Sequence, residues 1–186
     1  MKVRIAVYCG SNPGADPRFA AAAREVGHAI VRSGADLVYG GGKAGLMGIV
    51  ADTVLEHGGA VVGVMPTHLV QREIAHSGLT ELHETTTMHE RKQRMIDESQ
   101  AFIALPGGVG TLEELAEVLS WARIGLHSKP VGLLNTAGYY DALLQFFNTM
   151  VEQGFLRPRE RELMLSDDQP VGLITRVSRI VLQNQS

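Results

Sequence analysis

Two groups of residues have the types and spacing to do chemistry. The first is Pro106-Gly107-Gly108-Val109-Gly110-Thr111, which follows the apolar run Ala101–Leu105 and leads into a helical pattern. Amides at such a helix start have no partner within the helix, and the dipole adds partial positive charge there. A phosphate is the natural occupant, because glycines let its oxygens approach the backbone closely. Thr111 can also cap the helix, and Thr111 with Glu114 fits a T-x-x-E capping box. A cap does not require three glycines in four residues, so phosphate binding is the favoured reading.

The second group is acidic and basic. Glu113 and Glu114 fall in the first turn of that helix, where a carboxylate is favourable on dipole grounds alone. A carboxylate beside a bound phosphate is repelled, however, and its presence there points to chemistry. Arg91 and Lys92 follow a second capping box, Thr87-Met88-His89-Glu90, and cations in a first helical turn oppose the dipole. Met95 and Ile96 lie four residues on, along the same stripe as Arg91 and Lys92. Both cations are therefore expected on the inner face, converging on the rim where Gly108 and Thr111 lie. The alternative is two solvated basic residues whose stems cover the core edge.

Other candidates carry less. Gly40-Gly41-Gly42-Lys43-Ala44-Gly45 satisfies G-x-G-x-x-G, yet it follows the second strand-like segment. The next strand ends in Val64-Met65-Pro66-Thr67, with no acid to hold a ribose. The expectation is that these glycines pack a helix close to a sheet, and an NAD-dependent oxidoreductase is disfavoured. His89-Glu90 opens like H-E-x-x-H, but Gln93 stands at the second ligand position, so no metal site is read. Cys9, the one cysteine, reads as a small buried thiol, and Ser11 follows at the same rim. Trp121, Phe146 and Phe147 read as core or subunit contacts.

The elements that must position these groups alternate short apolar runs with longer amphipathic segments, the pattern of repeated βα units. Strands are expected over Val3–Cys9, Asp36–Tyr39, Ala60–Met65, Leu79–Glu84, Ala101–Leu105 and Val131–Leu134, with Met164-Leu165 as an added edge. Helices are expected over Phe19–Ser33, Leu46–His57, Met88–Ser99, Thr111–Ile124, Tyr139–Gln153 and Val171–Gln183, with Thr67–Gly78 irregular. Unalternating apolar strands fit a parallel sheet covered on both faces. The fold class is thus α/β: one doubly wound, Rossmann-like domain spanning residues 1–186, with ligands at the carboxyl ends of the strands.

Composition agrees. The chain has 186 residues, 45% of them hydrophobic and 20% charged, with a net charge of -3. That balance argues against a bulk electrostatic grip on nucleic acid. No apolar run reaches membrane-spanning length. A single cysteine excludes an internal disulfide and fits a reducing, cytoplasmic setting, and no signal peptide is read at the N-terminus.

Taken together, Gly40–Gly48, Met88–Lys92 and the P-G-G-x-G-T-x-x-E run Pro106–Glu114 resemble the LONELY GUY family over nearly the whole chain. These are cytokinin riboside 5′-monophosphate phosphoribohydrolases, often mislabelled lysine decarboxylases. The resemblance implies hydrolysis of the N-glycosidic bond of a purine ribonucleoside 5′-monophosphate, giving free base and ribose 5-phosphate without metal or cofactor. It implies a catalytic pair at Arg91 and Glu114. Substrate contacts would fall on Glu73, Arg91, Lys92, Gly108, Val109, Gly110, Thr111, Leu112, Glu113, Glu114 and Ser120. Val109 stands where many relatives carry an aromatic residue, and a homodimer with sites near the interface is implied. The alternative function is a non-catalytic nucleotide or molybdenum-cofactor carrier, since such carriers resemble the family in the same element. A third reading, a purely structural oligomer, leaves the inward-directed cations without a purpose.

Overall fold

The computed structural model describes residues 2–70 and 75–184. Seven strands form one wholly parallel sheet: β1 (Arg4–Tyr8), β2 (Asp36–Tyr39), β3 (Val61–Pro66), β4 (Glu81–Thr85), β5 (Ala101–Ala104), β6 (Val131–Leu134) and β7 (Met164–Asp167). The connecting helices are α1 (Pro17–Arg32), α2 (Gly45–Glu56), α3 (Thr67–Val70), α4 (Met88–Glu98), α5 (Val109–Arg123), α6 (Asp141–Glu152), α7 (Pro158–Arg161) and α8 (Pro170–Asn184). The five inner strands carry apolar side chains on both pleat faces, so both faces must be covered there. One face packs Val26, Ile30, Val50, Val54, Leu173 and Val177 of α1, α2 and α8. The other packs Met95, Ile96, Leu115 and Val118 of α4 and α5, with Leu143, Leu144 and Phe147 of α6 against them. Each such fully buried side chain contributes on the order of 1.5–3 kcal/mol.

The strand order β4-β3-β2-β1-β5-β6-β7 sets the position of the site. The chain steps outward from β1 to β4, then returns to the far side of β1 with β5. The loops that leave β1 and β5 therefore diverge from neighbouring strand ends, and a crevice opens between them. The expected edge strand at Met164-Leu165 is present as β7, and the strands and long helices match the sequence expectation to within two residues. Thr67–Gly78 differs in part, because Thr67–Val70 forms one helical turn. The four-residue helix α7 was not expected. Its Arg157 N–H bonds the Glu160 carboxylate, a local cap that a short charged stretch does not advertise.

A larger difference lies at the start of α5. The helix begins at Val109 rather than Thr111, with Gly108 as its N-cap and no side-chain cap bond. Thr111 is thus not the cap. It sits in the first turn, 4% exposed, with its hydroxyl packed against Gly107. The capping-box reading of Glu114 falls with it, and that carboxylate needs another explanation. The second capping box holds by half. Glu90 N–H bonds Thr87 Oγ1 at 3.1 Å, but the Glu90 carboxylate returns to Thr86 rather than Thr87.

Candidate active site

A cleft of about 340 Å³ opens at the carboxyl ends of β1, β2, β3 and β5. Cys9, Gly10 and Ser11 come from the loop after β1, Gly40 from the end of β2, Met65 from β3, and Gly108–Thr111 from the turn after β5. Backbone bonds tie these loops together: Gly10 N–H to Pro106 C=O at 3.1 Å, Leu105 N–H to Tyr8 C=O at 2.9 Å, and Leu46 N–H to Gly10 C=O at 3.0 Å. The mouth of α5, with its outward amides, is consequently fixed against the centre of the sheet.

Arg91 and Glu114 enter from α4 and α5. The guanidinium donates through Nη1 to Glu114 Oε1 at 2.8 Å and through Nε to the Val64 carbonyl at 3.1 Å. Both side chains are only 12% exposed. Glycine at position 40 makes room for this arrangement, because a Cβ there would collide with Arg91 Nη2. Met95 and Ile96, four residues along, are buried as the stripe requires, and they orient Arg91 inward. Burial pushes the Glu114 carboxyl above the usual glutamate range, while Arg91 pulls it part of the way back. The result is a carboxylate oriented through one oxygen by Arg91 and more basic than an exposed glutamate.

Lys92 behaves differently from its neighbour. Its ammonium bonds Glu113 at 2.5 Å and Glu117 at 3.0 Å, and it faces a separate groove shared with His89, Gln93 and Trp121. The Glu113 bond, more than any other contact, raises the Lys92 pKa. Gly108, Val109, Gly110, Thr111, Glu113 and Glu114 all line the cleft with Arg91. Leu112 and Ser120 do not: both are exposed on α5, and Ser120 lies more than two turns beyond the helix start. Glu73 lies outside the described residues.

Several lining residues were not singled out from the sequence. Met47, Met65, Leu69 and Met88 form an apolar wall opposite the glycine turn. Methionines at helix and strand ends read as ordinary core, and only the cleft gives them a second meaning. Across Gly108 from the acid, a further hollow of about 310 Å³ is lined by Ser11, Asn12, Phe19 and Tyr139 among others. Cys9 is buried at the floor, and burial drives its thiol pKa upward, which disfavours the reactive thiolate.

Comparison with known proteins accords with this geometry. A family model described as possible lysine decarboxylase matches residues 47–177. A probable cytokinin riboside 5′-monophosphate phosphoribohydrolase of Oryza sativa subsp. japonica is 47% identical over 178 residues, spanning 96% of this chain and 78% of the relative. A cytokinin riboside 5′-monophosphate phosphoribohydrolase of Arabidopsis thaliana is 48% identical over 163 residues, spanning 88% and 76%. Among solved structures, the Moco carrier protein of Chlamydomonas reinhardtii superposes with a TM-score of 0.74 at 23% identity, covering 99% of both chains. The molybdenum cofactor binding protein of Rippkaea orientalis also gives 0.74, at 22% identity, covering 97% of this chain and 98% of its own. At such identities these two structures show a shared fold.

Proposed function

The chain belongs to the family of cytokinin riboside 5′-monophosphate phosphoribohydrolases, and from that premise we propose that it hydrolyses the N-glycosidic bond of purine ribonucleoside 5′-monophosphates. The observation that carries the reading is the Arg91–Glu114 pair, 2.8 Å apart beside the open amides of the Gly108–Thr111 turn. The turn binds the 5′-phosphate, and the methionine wall receives the base. As the C1′–N9 bond breaks, the base leaves with the bonding electrons and takes up a proton, and the ribose acquires oxocarbenium character. The Glu114 carboxylate stabilises that charge and accepts a proton from the attacking water. Arg91 holds Glu114 in place and contacts the ribose phosphate or hydroxyls. Lys92 acts at one remove, by keeping Glu113 engaged.

Incubation with AMP and chromatographic detection of adenine and ribose 5-phosphate tests the reading, and an N6-prenylated substrate run beside AMP sets the base preference. Binding of AMP without release of adenine would instead support the carrier reading.

The protein works as a homodimer in the cytoplasm. Support for the dimer comes from α6, whose twelve residues include none that is fully buried, although Leu143, Leu144, Phe146 and Phe147 are among them. Phe146 is 56% exposed and Phe155, just beyond, 82%. Light scattering in solution reads the mass directly. Support for a reducing compartment comes from the single, buried Cys9.

A further inference from the structure

Three successive carbonyls precede the mouth of α5, and each is held by a different donor. Tyr140 Oη donates to Leu105 C=O at 2.6 Å, Gly10 N–H to Pro106 C=O at 3.1 Å, and Tyr139 Oη to Gly107 C=O at 2.6 Å. Tyr140 is buried, and its bond satisfies a core carbonyl. Tyr139 is 45% exposed, so burial does not explain why its hydroxyl is committed to the turn. The bend that delivers it is itself unusual. Ala137, at φ 57°, is the one non-glycine residue with positive φ among the described residues, and Gly138 follows at φ 73°. Asn135 braces the bend, accepting from Tyr140 N–H at 2.7 Å and donating to Asp141 at 2.7 Å. L-residues adopt that left-handed conformation rarely, and it persists where the surroundings demand it.

We propose that Tyr139 is a positioning residue for the anion-binding turn: its hydroxyl locks the Gly107–Gly108 peptide so that the Gly108 N–H faces the cleft. In a trans peptide the carbonyl and the amide hydrogen point in opposite directions, so holding one fixes the other. This peptide needs holding. It lies between two glycines; Thr111 and the Gly10 amide crowd the Gly107 side, but on the Gly108 side a Cβ would meet nothing within 4 Å, so packing restrains only one end of the peptide. Rotated by half a turn, it would present a carbonyl oxygen where an anion has to bind. The bond from Tyr139 removes that state before the ligand arrives, which raises affinity without adding a contact to the ligand. The inference rests on the phosphate-binding reading of the turn given above.

The test is Tyr139→Phe in the full chain, which keeps the ring against Phe19, now at 5.5 Å between centroids, and deletes only the donor. Phosphate is held alike in ground and transition states, so KM for AMP should rise about tenfold while kcat stays within roughly threefold. Calorimetric affinity for ribose 5-phosphate should fall by the same factor, and inhibition by adenosine, which lacks the phosphate, should not change. A melting temperature within about 2 °C of wild type shows the fold intact. An unchanged KM, or an equal loss for adenosine, overturns the proposal. If wild type releases no adenine from AMP, the hydrolase reading fails, while the ribose 5-phosphate affinities of the two proteins still decide the role of Tyr139. Wild type that binds neither ribose 5-phosphate nor AMP overturns both.

Discussion

The two glycine-rich turns of this molecule look alike in sequence, yet most of their glycines meet different surroundings in space. Each leaves the carboxyl end of a parallel strand and opens a helix. At Gly40–Gly45 the space that side chains would fill is taken by the protein itself: Arg91 lies against Gly40, the Ser11 backbone against Gly45, and the Gly41 carbonyl accepts from His76 N–H at 3.0 Å. In the second turn Gly107 is likewise packed, against Thr111 and the Gly10 amide, but at Gly108 and Gly110 a Cβ would meet nothing within 4 Å, and both of these line the cleft. A glycine that is spared a side chain by protein atoms is structural. One that is spared it by open space beside unpaired amides leaves room that a ligand can enter. The pattern G-x-G-x-x-G cannot distinguish these cases, because it records only the missing side chains.

The sharpest way to divide the two turns is to remove the chemistry that only one of them serves. Glu114→Gln keeps the shape and an acceptor for Arg91 but loses the charge and the basicity. It should lower kcat for AMP cleavage by roughly 10³-fold while AMP binding stays measurable. Near-normal turnover would detach the reaction from this turn altogether.

Next in size is Gly45→Ala. It forces a side chain onto φ 62° and into the Ser11 backbone, so thermal unfolding should show a loss of about 2–4 kcal/mol, or roughly 5–10 °C. Gly108→Ala should do the reverse. Its methyl enters open space, so stability should hold to within about 0.5 kcal/mol, while KM for AMP rises about tenfold as the methyl crowds the phosphate. If both variants lost stability alone, or both lost binding alone, the contrast between the turns would collapse.

The smallest effect is the pH dependence. Because burial raises Glu114, the acid limb of kcat/KM should fall at an apparent pKa above the ordinary glutamate value of about 4.3. A limb at or below that value would contradict the buried base. The sign for stability follows from linkage. A carboxyl raised in the folded state favours folding while protonated and loses that contribution as pH climbs through its folded value. The stability of Glu114→Gln relative to wild type should therefore improve across that window in denaturant titrations.

Much of this architecture is legible in the chain. Apolar runs of four to six residues punctuated by glycine specify buried parallel strands, and Asp36–Tyr39 and Val131–Leu134 are found at their expected bounds. The inward aim of Arg91 was legible too, because Met95 and Ile96 fix the phase of α4. The same rule overreached at Lys92, since neighbours in sequence stand about 100° apart on a helix and diverge as their heads extend. Two carboxylates across the groove, Glu113 and Glu117, decide where Lys92 ends, and helical phase contains no record of them. The start of α5 was misplaced because glycine is a poor helix former, and Val109-Gly110 gives no local reason to begin a helix. Tyr139 was invisible as part of the site. Its role depends on a carbonyl more than thirty residues upstream and on one left-handed alanine.

The placement of β1 at the middle of the sheet also governs when the cleft can exist at all. Its floor leaves β1, yet its acid and its amide-lined mouth follow β5, and Arg4 N–H meets the Gln100 side chain across 96 residues of chain. Parallel pairing at such separations forms slowly, because a long loop must close before any contact stabilises it. A nascent chain that has emerged only as far as β4 has most of one sheet half and none of the reactive constellation. Hydrolytic competence should thus arrive as a late, all-at-once property of the completed sheet, and partly made protein meets the nucleotide pool with nothing to cleave it.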